Sequence, residues 1–342
     1  MKLSDFKFDL PNEFIAQFPI EERDQARLMV LNREDESINH DHFFNIPNFL
    51  NEGDCLVVNE TKVFPARLLG TKDKTDAKVE IFLLRELEND LWEVLVKPAR
   101  KVRVGNRLSI DQKLFCDVID NTVSGGRVVR FTYDGEFYDI VESIGKAPLP
   151  PYISRDPEAY DKDSYQTVFA KIRGAVAAPT SGLHFTPEIL DKIKAKGVKI
   201  VPILLHLGLG NFRQVLVEDL SRHKMDSEYY DVSEEAVNII NDTKKSGKKI
   251  VAVGTSTVRA LESAITSEGW AKPAKGWTDK FIYPPYEFHL VDQLITNFQI
   301  PSTTLLMLVS AFAGKDFLKK SYEIAKKEKY RFAAYGDAMV IL

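Results

Sequence analysis

An α/β core domain interrupted by an inserted antiparallel β-barrel domain is the architecture this sequence predicts. Three features point to it. The 342 residues exceed the usual reach of one hydrophobic core, short strand-like runs fill the stretch from about Val63 to Ile144, and apolar strands alternate with amphipathic helices after it. The expected division is residues 1–60 plus 150–342 for a discontinuous α/β domain and 61–149 for the barrel.

The elements follow in order. Pro11 ahead of NEFIAQF, with Asp9 near the cap and Pro19 beyond, predicts a short helix. Leu28 to Asn32 and Cys55 to Asn59 read as buried strands. VEIFLLREL, LWEVLVKPA, RLSI, LFCDVID and RVVRFTYDG are short strands separated by Asp, Asn and Gly turns, the spacing of a small barrel or sandwich. KAPLPPYISRDPEAYDKD, dense in proline and charge, marks a linker or return crossing. KIVPILLHL then reads as a strand, Glu234 to Ser246 as an amphipathic helix, and KKIVAVG with STVRALESAI as strand, tight turn and helix, which together argue for a largely parallel buried sheet. YRFAAYGDAMVIL closes the chain as a strand with a break at Gly336-Asp337.

With 44% hydrophobic and 28% charged residues the chain falls outside the signature of disorder. Its longest uncharged apolar run, Leu305 to Ala313, is about half of what a bilayer requires, and Asp5 and Asp9 interrupt any signal-peptide core. Two cysteines, Cys55 and Cys116, build neither a disulfide framework nor a four-ligand zinc site, so a cytoplasmic setting is expected. A net charge of −4 does not advertise a nucleic-acid binder, which leaves a local basic face as the only electrostatic route to one. Lys97, Arg100, Lys101 and Arg103 form the densest cluster; a charged strand edge explains it equally.

Five segments carry candidate chemistry. GAVAAPTSGLHFTPEIL places Thr180, Ser181 and His184 on a small-residue loop before a helix start at Thr186-Pro187-Glu188, although a histidine among apolar neighbours is equally a packing residue. HLGLGNF puts Gly208 and Gly210 after a strand; without a third glycine and an immediate helix this is no dinucleotide fingerprint, only a close backbone approach or a tight turn. RHKMDSEYYDV gathers His223, Lys224, Asp226 and Glu228 without metal-ligand spacing. In VAVGTSTVRALES, Thr255 and Ser256 open a helix whose free N–H groups suit a carboxylate or phosphate, with Arg259 as a clamp or a surface charge. Tyr286, Asn297 and their neighbours in FIYPPYEFHLVDQLITNFQIPSTTLLML suit a nucleobase, or form a core strand and turn before a helix near Ser302.

Taken together, DFKFDLPNEFIAQFP, GDCLVVNETKVFPARLLG, GAVAAPTSGLHFT, HLGLGNF, HKMDSEYY, VAVGTSTVRALES, IYPPYEF, TNFQIPSTTLLMLVSAFAG and YRFAAYGDAMVIL resemble, in order and over nearly the whole chain, the S-adenosylmethionine:tRNA ribosyltransferase-isomerase family of queuosine biosynthesis. The resemblance implies an α/β domain with an inserted barrel and an enzyme without metal or redox cofactor, S-adenosylmethionine being a consumed co-substrate. It implies transfer and isomerisation of the ribosyl moiety onto 7-aminomethyl-7-deazaguanine at the tRNA wobble position, giving epoxyqueuosine, adenine and methionine. His184, Glu228 and Asp337 are then the titratable candidates for proton transfer. Thr255, Ser256 and Arg259 would hold the methionine carboxylate, and Tyr286 would face the sulfonium. Thr180, Ser181, Gly208, Gly210 and Asn297 complete the expected substrate site, with the Lys97 to Arg103 cluster for tRNA. A monomer acting away from membranes is expected. Asp226 and Gln299 stand where many members have histidine, Pro285 where glycine is common, and Asn211 where threonine is usual. The alternatives are a non-catalytic tRNA-binding relative and a conventional methyltransferase, which would release S-adenosylhomocysteine instead of adenine.

Overall fold

The computed structural model describes residues 1–342 apart from 123, 124, 209, 211 and 212. Asn211 therefore lies outside the described residues. Across the main sheet the nine strands run Ala274–Thr278, Glu228–Val232, Lys199–Leu205, Cys55–Asn59, Ile250–Val253, Gln293–Asn297, Ala338–Ile341, Arg27–Asn32 and Ser37–His42. The apolar runs Cys55–Asn59, Ile250–Val253 and Ala338–Ile341 are buried at every residue, because helices cover both faces. One face packs against Glu234–Lys245, Thr255–Ser263, Thr304–Ala313 and Lys315–Lys327; the other packs against Pro187–Ala195 and the 3-10 segment Phe43–Phe49.

The sheet is mixed, where a largely parallel one was expected. Parallel pairing joins Lys199–Leu205, Cys55–Asn59, Ile250–Val253 and Gln293–Asn297, and separately Ala338–Ile341 with Arg27–Asn32. The other neighbours are antiparallel. Ser37–His42 returns through a short turn with Glu36 at φ 52°, and a connection of that length permits only a hairpin.

Three local expectations also change. Pro11 opens only a 3-10 turn, Asn12–Phe14, because Ile15 and Ala16 are drawn into pairing with Phe332. The final strand is confined to Ala338–Ile341: Ala333 takes φ 71°, and the chain folds back so tightly that a Cβ on Gly336 would lie 2.5 Å from the Arg331 carbonyl oxygen. The proline-rich stretch is packed in place and does not hang free. Its buried Asp161 accepts both guanidinium N–H groups of Arg155, at 2.6 and 2.7 Å, and the Tyr335 hydroxyl at 2.8 Å.

The inserted strands close into a six-stranded antiparallel barrel: Arg127–Tyr133, Leu91–Lys97, Ala77–Glu88, Arg67–Lys72, Arg107–Asp111 and Leu114–Asn121. Period-two alternation builds its interior, Val79, Ile81 and Leu83 from one strand and Leu114, Cys116 and Val118 from another, with Trp92 and Phe131. Phe137 and Val141 of the helix Phe137–Ile144 plug it. Thr61–Val63, which leads into the barrel, pairs in parallel with Ile172–Ala175 on the way out, so both crossings are tied together. Both cysteines are free and buried. No helix among the described residues is long and apolar enough to cross a membrane.

Candidate active site

From Cys55–Asn59 the sheet extends to Lys199–Leu205 on one side and to Ile250–Val253 on the other, so the direction of winding reverses at the carboxyl end of Cys55–Asn59. Such a switch point opens a crevice above the strand ends. Asn59 bridges it. Its Nδ2 donates to the Leu205 carbonyl (2.9 Å) and to Ser256 Oγ (3.2 Å), while its Oδ1 accepts from the N–H groups of Leu205 and Thr61, both at 3.1 Å. The only signal of Asn59 in the sequence is a lone amide ending an otherwise apolar run.

A cleft of about 730 Å³ lies between this edge and the barrel. That volume suits a nucleoside-sized ligand. His206, Gly208, Asp226, Glu228, Tyr229 and Trp277 line it from the sheet, and Arg85, Glu86, Trp92 and Glu93 from the barrel. Leu207 also borders a narrower polar pocket lined by Thr180, Ser181, Gly254, Thr255, Ser256, Asn297 and Gln299. The candidates thus fall into two adjoining groups.

Glu228 is the anchored acid of the cleft. Antiparallel pairing brings the start of Glu228–Val232 to the same edge as the end of Lys199–Leu205. There Glu228 Oε1 accepts the Gly208 N–H at 2.7 Å and Oε2 pairs with Arg259 Nη1, both side chains being buried. Arg259 Nε donates to the Lys280 carbonyl at 3.0 Å, and its buried Nη2 has no partner among the described residues. Arg259 lines neither pocket and instead holds Glu228. Gly210 lies against Asp226, where an added Cβ would come within 3.3 Å of the carboxylate, and Asp226 pairs with Arg213 at 3.3 Å.

His206 was not singled out from the sequence, and the fold brings it to the cleft. Its Nδ1 lies 2.8 Å from Thr61 Oγ1, and its ring stacks on Tyr229. A Cβ on Gly174 would lie 2.5 Å from that ring, so glycine there is a clearance requirement. Burial pushes the imidazole down to about 4, so it is neutral near pH 7.

Thr255 and Ser256 stand in the narrow pocket at the amino end of Thr255–Ser263, where Gly254 takes φ 88°. Asn297 joins them. Its Nδ2 donates to His184 Nε2 (3.2 Å) and to the Ala333 carbonyl (3.3 Å), which fixes the amide orientation, and its buried Oδ1 is without a partner among the described residues. Gln299 donates to Thr296 Oγ1 at 3.2 Å and to the Asn297 carbonyl at 3.0 Å, bracing this turn.

The remaining candidates are elsewhere. His184 borders a separate cavity with Phe18, Arg23, Tyr160 and Tyr335. Its ring packs on Phe43 and also bonds the Arg23 backbone, so both nitrogens are engaged; burial first, and then the charge of Arg331, push it down to about 3. Asp337 accepts the backbone N–H groups of Arg27 (3.2 Å) and Arg331 (2.8 Å), pinning the last strand. Tyr286 donates to the buried Glu262 at 3.1 Å and lines neither pocket. Lys97, Arg100, Lys101 and Arg103 are exposed at the end of Leu91–Lys97 and the turn after it. Lys97 lies roughly 17 Å along the strand from Trp92. No group of three His, Cys, Asp or Glu side chains that could hold a metal occurs among the described residues.

A family model described as "Queuosine biosynthesis protein" matches residues 3–341. The chain is 54% identical to the S-adenosylmethionine:tRNA ribosyltransferase-isomerase of Chloroherpeton thalassium and 51% identical to that of Cytophaga hutchinsonii, each alignment covering 100% of both chains. Among solved structures it is similar to the S-adenosylmethionine tRNA ribosyltransferase of Thermotoga maritima, with 39% identity, a TM-score of 0.57 and coverage of 99% of this chain and 100% of that one. A full-length match, a barrel inserted in an α/β core and a carboxylate anchored at the switch point agree: the chain belongs to the S-adenosylmethionine:tRNA ribosyltransferase-isomerase family.

Proposed function

We propose that this enzyme transfers and isomerises the ribosyl moiety of S-adenosylmethionine onto 7-aminomethyl-7-deazaguanine at the tRNA wobble position, giving epoxyqueuosine, adenine and methionine. Beyond family membership, the observation that carries the reading is Glu228, a carboxylate held by Arg259 in a cleft of nucleoside size. Both reactants bring positive charge, a sulfonium on the donor and an ammonium on the acceptor. Glu228, Asp226 and Glu93 oppose it, and the face of Tyr229 favours it further. Glu228 is then the base for a proton beside the sulfonium or on the attacking amine, and neutral His206 a hydrogen-bonding partner for the departing adenine.

The narrow pocket suits the methionine end. The amino terminus of Thr255–Ser263, with the hydroxyls of Thr180, Ser181, Thr255 and Ser256, would receive the carboxylate, and the unpartnered Asn297 Oδ1 the ammonium. Arg259, His184, Asp337 and Tyr286 become positioning residues in this assignment, because none of them lines the cleft or the narrow pocket. The working units are the barrel and the α/β domain around it, in a cytoplasmic monomer. Mass spectrometry after incubation with S-adenosylmethionine and precursor tRNA tests the reaction: free adenine and a modified wobble base are expected, whereas S-adenosylhomocysteine would overturn it.

The exposed basic cluster on the barrel would meet the tRNA stem while the loop enters the cleft. Changing Lys97, Arg100, Lys101 and Arg103 to alanine should lower tRNA affinity and reduce the salt slope by up to about 3–4, since each phosphate contact contributes about 0.9. Filter binding across a salt series reads both. An unchanged slope would move the tRNA face elsewhere.

A further inference from the structure

At the rim of the cleft an aromatic series runs outward from the site. His206 stacks on Tyr229 with centroids 5.8 Å apart, and Tyr229 meets Trp277 edge to face, again at 5.8 Å. Trp277 is 56% exposed although it lies in the strand Ala274–Thr278, directly across from Tyr229. Cations flank it on two sides. The Arg85 guanidinium, reaching over from the barrel and held by Glu93 at 2.9 Å, stands 5.5 Å from the centre of the indole. Lys275, two residues before Trp277 and so on the same strand face, is largely exposed. A lone exposed apolar side chain needs no explanation. An exposed indole continuous with a reactive cleft and flanked by arginine and lysine has the composition of a stacking platform for an unpaired nucleotide, the ring taking the base and the cations the backbone.

We propose that Trp277, supported by Tyr229 and flanked by Arg85 and Lys275, binds the unpaired anticodon-loop nucleotide next to the modified one. The proposal rests on the tRNA reading above and extends it to a nucleotide that does not react. Two ring steps separate Trp277 from His206, so a base on the indole sits at the rim while its neighbour reaches the floor where Glu228 lies. Arg85 belongs to the barrel and Trp277 to the sheet, so the same nucleotide touches both sides of the cleft.

The test uses the full chain with an anticodon stem-loop carrying the aminomethyl-deazaguanine, and a second RNA in which the adjoining loop nucleotide is abasic on its 3′ or its 5′ side. Trp277→Ala should raise KM for the intact RNA about tenfold or more, the size of a lost base–aromatic stack, and leave KM for S-adenosylmethionine and kcat within about twofold. Trp277→Phe should recover most of the loss. On one of the abasic RNAs, wild type and Trp277→Ala should perform alike, because the base that the indole receives is already gone. Equal penalties on intact and abasic RNA, or no change in KM, would overturn the proposal. Affinity for labelled RNA, measured without S-adenosylmethionine, reads the platform independently of turnover. If the wild-type enzyme released no adenine, the reaction reading would fall and the platform would still be judged by that affinity.

Discussion

Replacing Glu228 with glutamine is expected to lower the saturated rate by about a hundredfold or more and to destabilise the protein by about 3–5 kcal/mol, and a second substitution separates the two effects. The stability loss arises because the Arg259 guanidinium stays buried with its partner neutralised; Arg259→Ala should cost a similar amount by stranding the carboxylate. Substituting both residues by Met or Leu of comparable volume should recover most of the stability, since a buried ion pair is often replaceable by apolar packing once neither charge remains. Activity should not return with it. Denaturant unfolding and adenine release are measured on the two single variants and on the double variant. A double variant that regained turnover along with stability would reduce Glu228 to a structural role. Arg259→Ala also tests where the donor carboxylate binds: with Nη1 on Glu228 and Nε on Lys280, the expected signature is lost stability and rate, with donor affinity changing as a consequence of the displaced Glu228.

Period and turn chemistry made the architecture legible. Val79, Ile81 and Leu83 alternate inward as their spacing requires, and Thr186 and Thr303 cap helices where the sequence placed their starts. The direction of the outer strands was not legible, because pairing depends on which elements meet and not on any one strand's pattern. The candidate site was half legible for the same reason. Glu228, Gly208 and the Gly254 to Ser256 turn lie at strand ends, where local pattern and final position coincide. His206 was hidden because its partners, Thr61, Gly174 and Tyr229, come from three distant segments. Asp337 and Tyr286 carry the residue types that catalysis uses, yet each is satisfied by backbone or side-chain groups that only tertiary packing supplies.

Between pH 7 and 4.5 the folded protein should lose about 3 kcal/mol of stability through His184 alone, and His184→Gln should remove most of that dependence. The folded imidazole titrates at about 3, against 6.5 for an exposed histidine. Below 6.5 the unfolded chain therefore binds a proton that the folded one does not. The contribution is fully present above about 6.5 and is lost as pH falls toward 3, at up to about 1.4 kcal/mol per pH unit. His206, pushed down to about 4, and carboxylates held below their ordinary range, such as Asp161 and Glu218, add pH dependence of the same sign, so the His184 share is read as the difference between wild type and His184→Gln. The lowered value also bears on mechanism: an imidazole that stays neutral to about pH 3, with both nitrogens engaged by Asn297 and the Arg23 backbone, is a poor acceptor for a substrate proton near pH 7. Its loss would act instead through Asn297, whose Nδ2 would lose its imidazole partner beside the narrow pocket. His184→Gln should thus raise KM for S-adenosylmethionine more than it lowers kcat. Urea unfolding at pH 7 and 4.5, paired with steady-state kinetics at pH 7, checks both halves. A pH dependence identical to wild type, together with a saturated rate lowered about a hundredfold at unchanged KM, would show that His184 protonates freely in the folded protein and handles a proton in the reaction.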